Sequence, residues 1–218
     1  MKLGNTARAS VLGGAVLVVC ALVAGCNPTT GGTAQPANTP SSPGTASQPS
    51  PSGNVPKVAV PLDATKFVSD PCGLVPKELL SQLRYTDPGD PRPQDSAPER
   101  QSGPSCGWKI RGDGTSVLII LGTGNRDAGA GGLTGIQAAY ERPNRLIRFL
   151  EPAPDIEGYP AVYFDIRDRR PIGNCSMALG IADDLAVSIF AEGYEGQQDS
   201  CDVAQRVAAG TVKTLKGA

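Results

Sequence analysis

Gly103-Pro104-Ser105-Cys106-Gly107 has the Gly-x-Ser-x-Gly spacing of a nucleophile elbow, where a sharp strand-to-helix turn presents a serine hydroxyl and a nearby histidine takes its proton. The base is missing, because the 218 residues include no histidine. A Pro-rich loop precedes the motif and a strand is predicted after it, so the setting argues against a hydrolase too. The same absence removes Cys-His nucleophiles and the commonest general base. Four cysteines in the body of the chain, Cys72, Cys106, Cys175 and Cys201, offer other chemistry. Zinc binding is disfavoured without histidine or a Cys-x-x-Cys pair. An even set in an exported chain reads as two disulfides with three possible pairings. The pairing that joins neighbouring elements, Cys72 with Cys106 and Cys175 with Cys201, is expected. It closes loops of about 25 to 35 residues, each contributing on the order of 3 kcal/mol.

The remaining constellations carry less. Leu121-Gly122-Thr123-Gly124-Asn125-Arg126-Asp127 follows a predicted strand and precedes a helix, as a dinucleotide loop does, but Asp127 stands where the third glycine belongs. It reads as a loose turn or surface flap. Asp165-Ile166-Arg167-Asp168-Arg169-Arg170 is a mixed charge run that reads as a solvated turn, with Arg167, Arg169 and Arg170 available for an anion or glycan. Asp155, Glu157 and Asp165 are the nearest carboxylate cluster for glycoside cleavage and read as surface residues. Trp108, the only tryptophan, lies two residues after Cys106 and is expected in the core.

Cys26 is the one residue whose context points to a specific modification. Residues 1–25 hold Lys2 and Arg8, no acidic residue, and an apolar run from Val11 to Ala24 that is too short to span a bilayer as a helix. The run ends in Leu22-Val23-Ala24-Gly25-Cys26, the layout of a lipoprotein signal, which implies cleavage before Cys26 and acylation of its thiol. Cys20 suits that role less well because branched Val19 precedes it. Two or three acyl chains give stable anchoring to a membrane, whereas one binds reversibly. Residues 26–57 form a tether rich in Pro, Ser, Thr and Gly and free of charge as far as Pro56, a composition that buries too little apolar area to fold. Its threonines, such as Thr29 and Thr39, are candidate O-glycosylation positions. Loss of Lys2 and Arg8 leaves 18 basic against 21 acidic residues, a net charge of −3, with no electrostatic footprint for nucleic acid.

The elements that must position these residues lie in 58–218, a length suited to one domain with one core. A helix is predicted from Val75 to Leu83, with Pro76 near its start. Arg84 to Pro104 reads as a long polar loop. Ser105–Arg111 and Thr115–Leu121 flank Gly112-Asp113-Gly114 as a hairpin. A helix follows over Leu133–Glu141. Strands are predicted at Arg145–Leu150, Ala161–Ile166, Cys175–Ile181 and Leu185–Ala191. A last helix, capped by Asp199 or Ser200, carries Val203, Val207, Thr211 and Leu215 on one side. This order predicts an α+β fold, an antiparallel β-sheet packed against helices as a two-layer sandwich.

Asp70-Pro71-Cys72-Gly73-Leu74, Cys106-Gly107-Trp108, Gly158-Tyr159-Pro160-Ala161, Cys175 and Asp199-Ser200-Cys201-Asp202-Val203-Ala204, in that order, resemble an actinobacterial, mycobacterial-type envelope lipoprotein family catalogued as domain of unknown function 3558. The resemblance implies an envelope lipoprotein and supplies no catalytic residues. The expectation is a protein held on the outer, extracytoplasmic face of the cell membrane through Cys26. It acts without catalysis or cofactor as a protein-interaction or sensing module, with carriage of a lipid or small apolar ligand as the alternative.

Overall fold

The computed structural model describes residues 55–217. The signal over 1–25, Cys26 and the tether up to residue 54 lie outside the described residues. No helix among the described residues is long and apolar enough to cross a membrane.

Two eight-residue strands, β6 (Cys175–Ala182) and β7 (Leu185–Glu192), form the centre of the fold as a hairpin turning at Asp183-Asp184. Alternation along them sends Met177, Leu179, Ile181, Val187, Ile189 and Ala191 to one face, all fully buried, and smaller Ala178 and Ala186 to the other. β7 pairs on its outer side with β3 (Ser116–Leu121), which pairs with β2 (Ser105–Lys109), and β2 with the edge strand β1 (Asp90–Arg92). On the other side β6 pairs with β5 (Ala161–Asp165) and β5 with β4 (Phe149–Pro152). All seven strands are antiparallel, in the order β1-β2-β3-β7-β6-β5-β4.

The main core lies between the large-residue face of this sheet and α5 (Gln197–Lys216). Val203, Val207, Thr211 and Leu215 are buried as their 3.6-residue spacing predicts, joined by Ala204, Ala208 and Val212. The helix begins at Gln197, ahead of the predicted caps. Ser200 donates its hydroxyl back to the Gly196 carbonyl, and Asp199 sits in the first turn, where its charge favours the helix dipole. The short helix α1 (Lys77–Gln82) docks on α5 at Gly210, where a Cβ would meet Leu79 at 2.7 Å. On the opposite face of the sheet α4 (Gly132–Glu141) sets Leu133 and Ile136 over Ala178, Ala186, Val162 and Phe164, a smaller second cluster.

Both disulfides take the expected pairing, Cys72 with Cys106 and Cys175 with Cys201, each with Cα atoms 5.1 Å apart. These bonds take up all four cysteines among the described residues.

Three further expectations about the elements need correction. The polar stretch Arg84–Pro104 is not a loop throughout, since it forms β1 and a helix, α2 (Ala97–Ser102). Pro91 is tolerated because β1 is an edge strand. Ser96 at the cap donates its hydroxyl to the Glu99 carboxylate three residues on, a side-chain contact across the first turn that leaves the cap without a side-chain bond to a backbone N–H. The Gly-rich stretch is no loose flap, because it contains α3 (Thr123–Asp127) and its glycines allow backbones to touch. A Cβ on Gly131 would lie 2.0 Å from the Asp184 carbonyl oxygen, and one on Gly132 2.1 Å from that of Asp183, so both fit only as glycine beneath the β6–β7 turn. Finally, the strand predicted from Arg145 is regular only from Phe149, and the residues before it are largely exposed.

Candidate functional site

Trp108 lies in β2 with 1% of its surface exposed, in the core as expected. Its indole Nε1–H is the one buried side-chain polar atom among the described residues without a hydrogen-bond partner. Such a donor costs about 1–3 kcal/mol when left dry, and native folds rarely keep one without reason. Lying on it is Gly89, at φ +93°, where a Cβ would fall 2.6 Å from Nε1 and 2.8 Å from Cys106 Sγ. Asp87-Pro88-Gly89 therefore rests directly on the indole and on the Cys72–Cys106 bridge, and it continues into β1, which pairs Asp90 with Gly107 and Pro91 with Cys106.

This segment divides two surface clefts. One, of about 620 Å³, is lined by Trp108 together with Asp90, Lys109, Arg111, Leu118 and Glu192. The other, of about 850 Å³, is lined by Asp70, Cys72, Lys77, Ser81, Tyr85 and Thr86. Asp87, Pro88 and Gly89 belong to both. Arg111 faces Asp87 at 3.6 Å across the rim, an exposed pair of small energetic weight. Behind the second cleft the phenol oxygens of Tyr85 and Tyr194 share a 2.5 Å hydrogen bond. Burial pushes both phenols above the ordinary tyrosine range, and the Tyr194 bond raises Tyr85 further. Asp113, in the turn between β2 and β3, is held low by the backbone N–H of Thr115. The clefts thus offer carboxylates, cations, hydroxyls and an indole donor, a set suited to recognition.

The structure scatters the other predicted chemistry. Ser105 opens β2 next to a disulfide cysteine, so the Gly-x-Ser-x-Gly segment runs into a strand and makes no elbow. Asp155 and Glu157 are exposed, as expected, and Asp165 is not. Glu157 pairs with Lys213 at 3.6 Å, whereas Asp165 is nearly buried and accepts from Arg169 at 2.8 Å and from Ser176 at 2.9 Å. The expectation of a surface residue at Asp165 is thereby overturned.

The charge run is likewise a built network and not a solvated turn. Arg170, only 9% exposed, donates to both Asp168 oxygens and to Glu151, and its guanidinium stacks on Phe149 at 4.4 Å and Tyr163 at 5.2 Å. These bonds hold the Asp168 carboxyl below, and the Arg170 guanidinium above, its usual range. Burial opposes the charge of Arg169, but Asp165 and Glu192 outweigh it. Of the three arginines considered for an anion, Arg167 alone remains exposed.

Sequence reasoning missed the Asp87–Arg92 segment. Its signals were present in the Pro88-Gly89 turn pair and the Ser96-x-x-Glu99 helix-start pattern, but a polar, Pro-rich stretch gives no periodicity to mark a strand. A family model described as "Protein of unknown function (DUF3558)" matches residues 21–214. No curated protein and no solved structure matches the chain.

Proposed function

The chain belongs to the DUF3558 family of proteins of unknown function, and from that premise we propose that it is an envelope lipoprotein whose domain binds a partner at the paired clefts around Asp87–Gly89. Cys26 anchors it on the outer face of the cell membrane, following the Leu22–Cys26 layout. Two disulfides suit an oxidising, extracytoplasmic compartment. The observation that carries the binding reading is the unpartnered Trp108 Nε1–H beneath a glycine between two clefts. A partner that lifts or replaces Gly89 gains a dry donor, which is worth more than one already bonded to water. Carriage of a lipid would need space between α5 and the sheet, where Met177, Leu179, Ile189, Val207 and Val212 are all fully buried, so the interaction reading is favoured.

The test places a photocrosslinker at Asp90 on the cleft rim, and at Gln198 as a remote control, in the full chain expressed in its own envelope. A discrete crosslinked species from position 90 that position 198 does not give, absent with Cys26→Ala, is the expected result. Equal labelling from both positions would remove the cleft assignment. A stoichiometric lipid in the native mass spectrum would move the reading to the carrier. Trp108 supplies an internal check, because as the only tryptophan its emission must change when the cleft fills.

A further inference from the structure

At the end of the sheet remote from the β6–β7 turn, the α4–β4 connection and the β5–β6 connection run side by side, tied where the Arg148 N–H donates to the Asp165 carbonyl at 2.9 Å. The first carries Arg142, Arg145, Leu146 and Arg148; the second carries Ile166 and Arg167. Leu146 is 81% and Ile166 57% exposed, two of the four exposed large hydrophobics among the described residues. Among those residues none of Arg142, Arg145, Arg148 and Arg167 has a carboxylate within salt-bridge distance. Of the neighbouring acids Asp165 holds Arg169 and Asp168 holds Arg170, and only Glu141, bonded to the neutral Gln137 amide, keeps its charge beside the tip. Arg145 folds over the Tyr140 ring at 4.8 Å, which leaves its charge beside the tip. Four guanidiniums without an ion pair, against the one carboxylate of Glu141, thus stand beside two protruding aliphatic side chains on a chain whose net charge is −1.

We propose that this tip docks on an anionic lipid surface, with the arginines among the headgroups and Leu146 and Ile166 inserted between them. Charge complementarity selects an anionic occupant. The exposed side chains favour lipid over an acidic protein. Protein hot spots rely on Trp and Tyr beside Arg, and Leu is under-represented in them. Leucine and isoleucine ringed by long basic stems, which can snorkel, match a headgroup layer. The contact is distinct from the clefts and does not draw on acylation of Cys26.

The test uses the full chain with Cys20→Ala and Cys26→Ala, so that no acyl chain contributes and no other free thiol reacts. An environment-sensitive fluorophore is attached at Asn144→Cys in the tip or, as a control, at Asp184→Cys in the β6–β7 turn at the other end of the sheet. Vesicles of equal parts phosphatidylglycerol and phosphatidylcholine should shift the emission of the label at 144 to the blue and leave that at 184 unchanged. Phosphatidylcholine alone should shift neither. Replacing Arg142, Arg145, Arg148 and Arg167 by Gln should weaken the response at 144 at least about tenfold. No shift at 144, equal shifts at both positions, or a shift that survives the four substitutions would overturn the proposal. Arginine-dependent binding to polyglutamate without any vesicle response would overturn it too, in favour of an acidic protein.

Discussion

β6, β7 and α5 on one side, and the stretch from Pro71 to Ser102 on the other, are each closed by one disulfide, yet they hold their shape differently. The first is made of eight-residue strands and a twenty-residue helix whose facing side chains are fully buried. The second is made of a four-residue 3-10 helix (Pro71–Leu74), two six-residue helices and a three-residue strand exposed at every position. Helices of that length are marginal alone, and the segment buries few large side chains, chiefly Leu74, Val75, Leu80 and Tyr85. Its order therefore depends on point fastenings, the Cys72–Cys106 bond and the Tyr85–Tyr194 hydrogen bond, where the C-terminal region relies on area. The clefts lie in the fastened region, which is where a binding surface is usually found, on less stable elements positioned by a rigid frame.

This contrast can be broken most directly at the bridge. Replacing both Cys72 and Cys106 by Ala should cost about 3.5 kcal/mol by the chain-entropy argument. Proteolysis between residues 84 and 104 should accelerate, while amides from Cys175 to Lys216 keep their hydrogen-exchange protection. Simultaneous loss of protection in both regions would mean one cooperative unit and end the comparison. Leu179→Ala in β6 should cost about 3 kcal/mol, as a cavity in a closed core does, and lower protection throughout the chain. A loss confined to β6 and its neighbours would place the common frame elsewhere.

Tyr85→Phe is the mildest change, about 1 kcal/mol for the lost hydrogen bond. It also sharpens the pH dependence. Tyr85 has a folded pKa raised above its unfolded value, so its contribution is complete below about pH 10 and is lost as the pH rises further. Urea midpoints measured from about pH 8 to 11 should fall more steeply for the native chain than for the variant. Parallel curves would show that the phenol pair does not fasten the segment.

The C-terminal region was legible in the sequence because its elements are long and periodic. The 3.6-residue spacing of Val203, Val207, Thr211 and Leu215 and the apolar runs around Asp183-Asp184 left little choice of structure. The cysteine framework was legible through sequence proximity. The fastened region was not, since β1 contains proline and faces water, and its strand character comes only from pairing with β2. The ion network of Asp165, Arg169 and Arg170 was misread for a related reason. Composition reports charge, but burial over Phe149 and Tyr163 depends on β4 and β5 meeting in space.

The two disulfides join the first cysteine of the domain to the second and the third to the fourth. Any process that delivers the chain N-terminus first therefore presents Cys72 and Cys106 together before Cys175 appears. Each bond can close as soon as its second thiol emerges, and no bond has to be broken to reach the native set. Oxidative maturation of this domain should then need an oxidant but no isomerase, an independence that interleaved pairings of the same four cysteines would not allow.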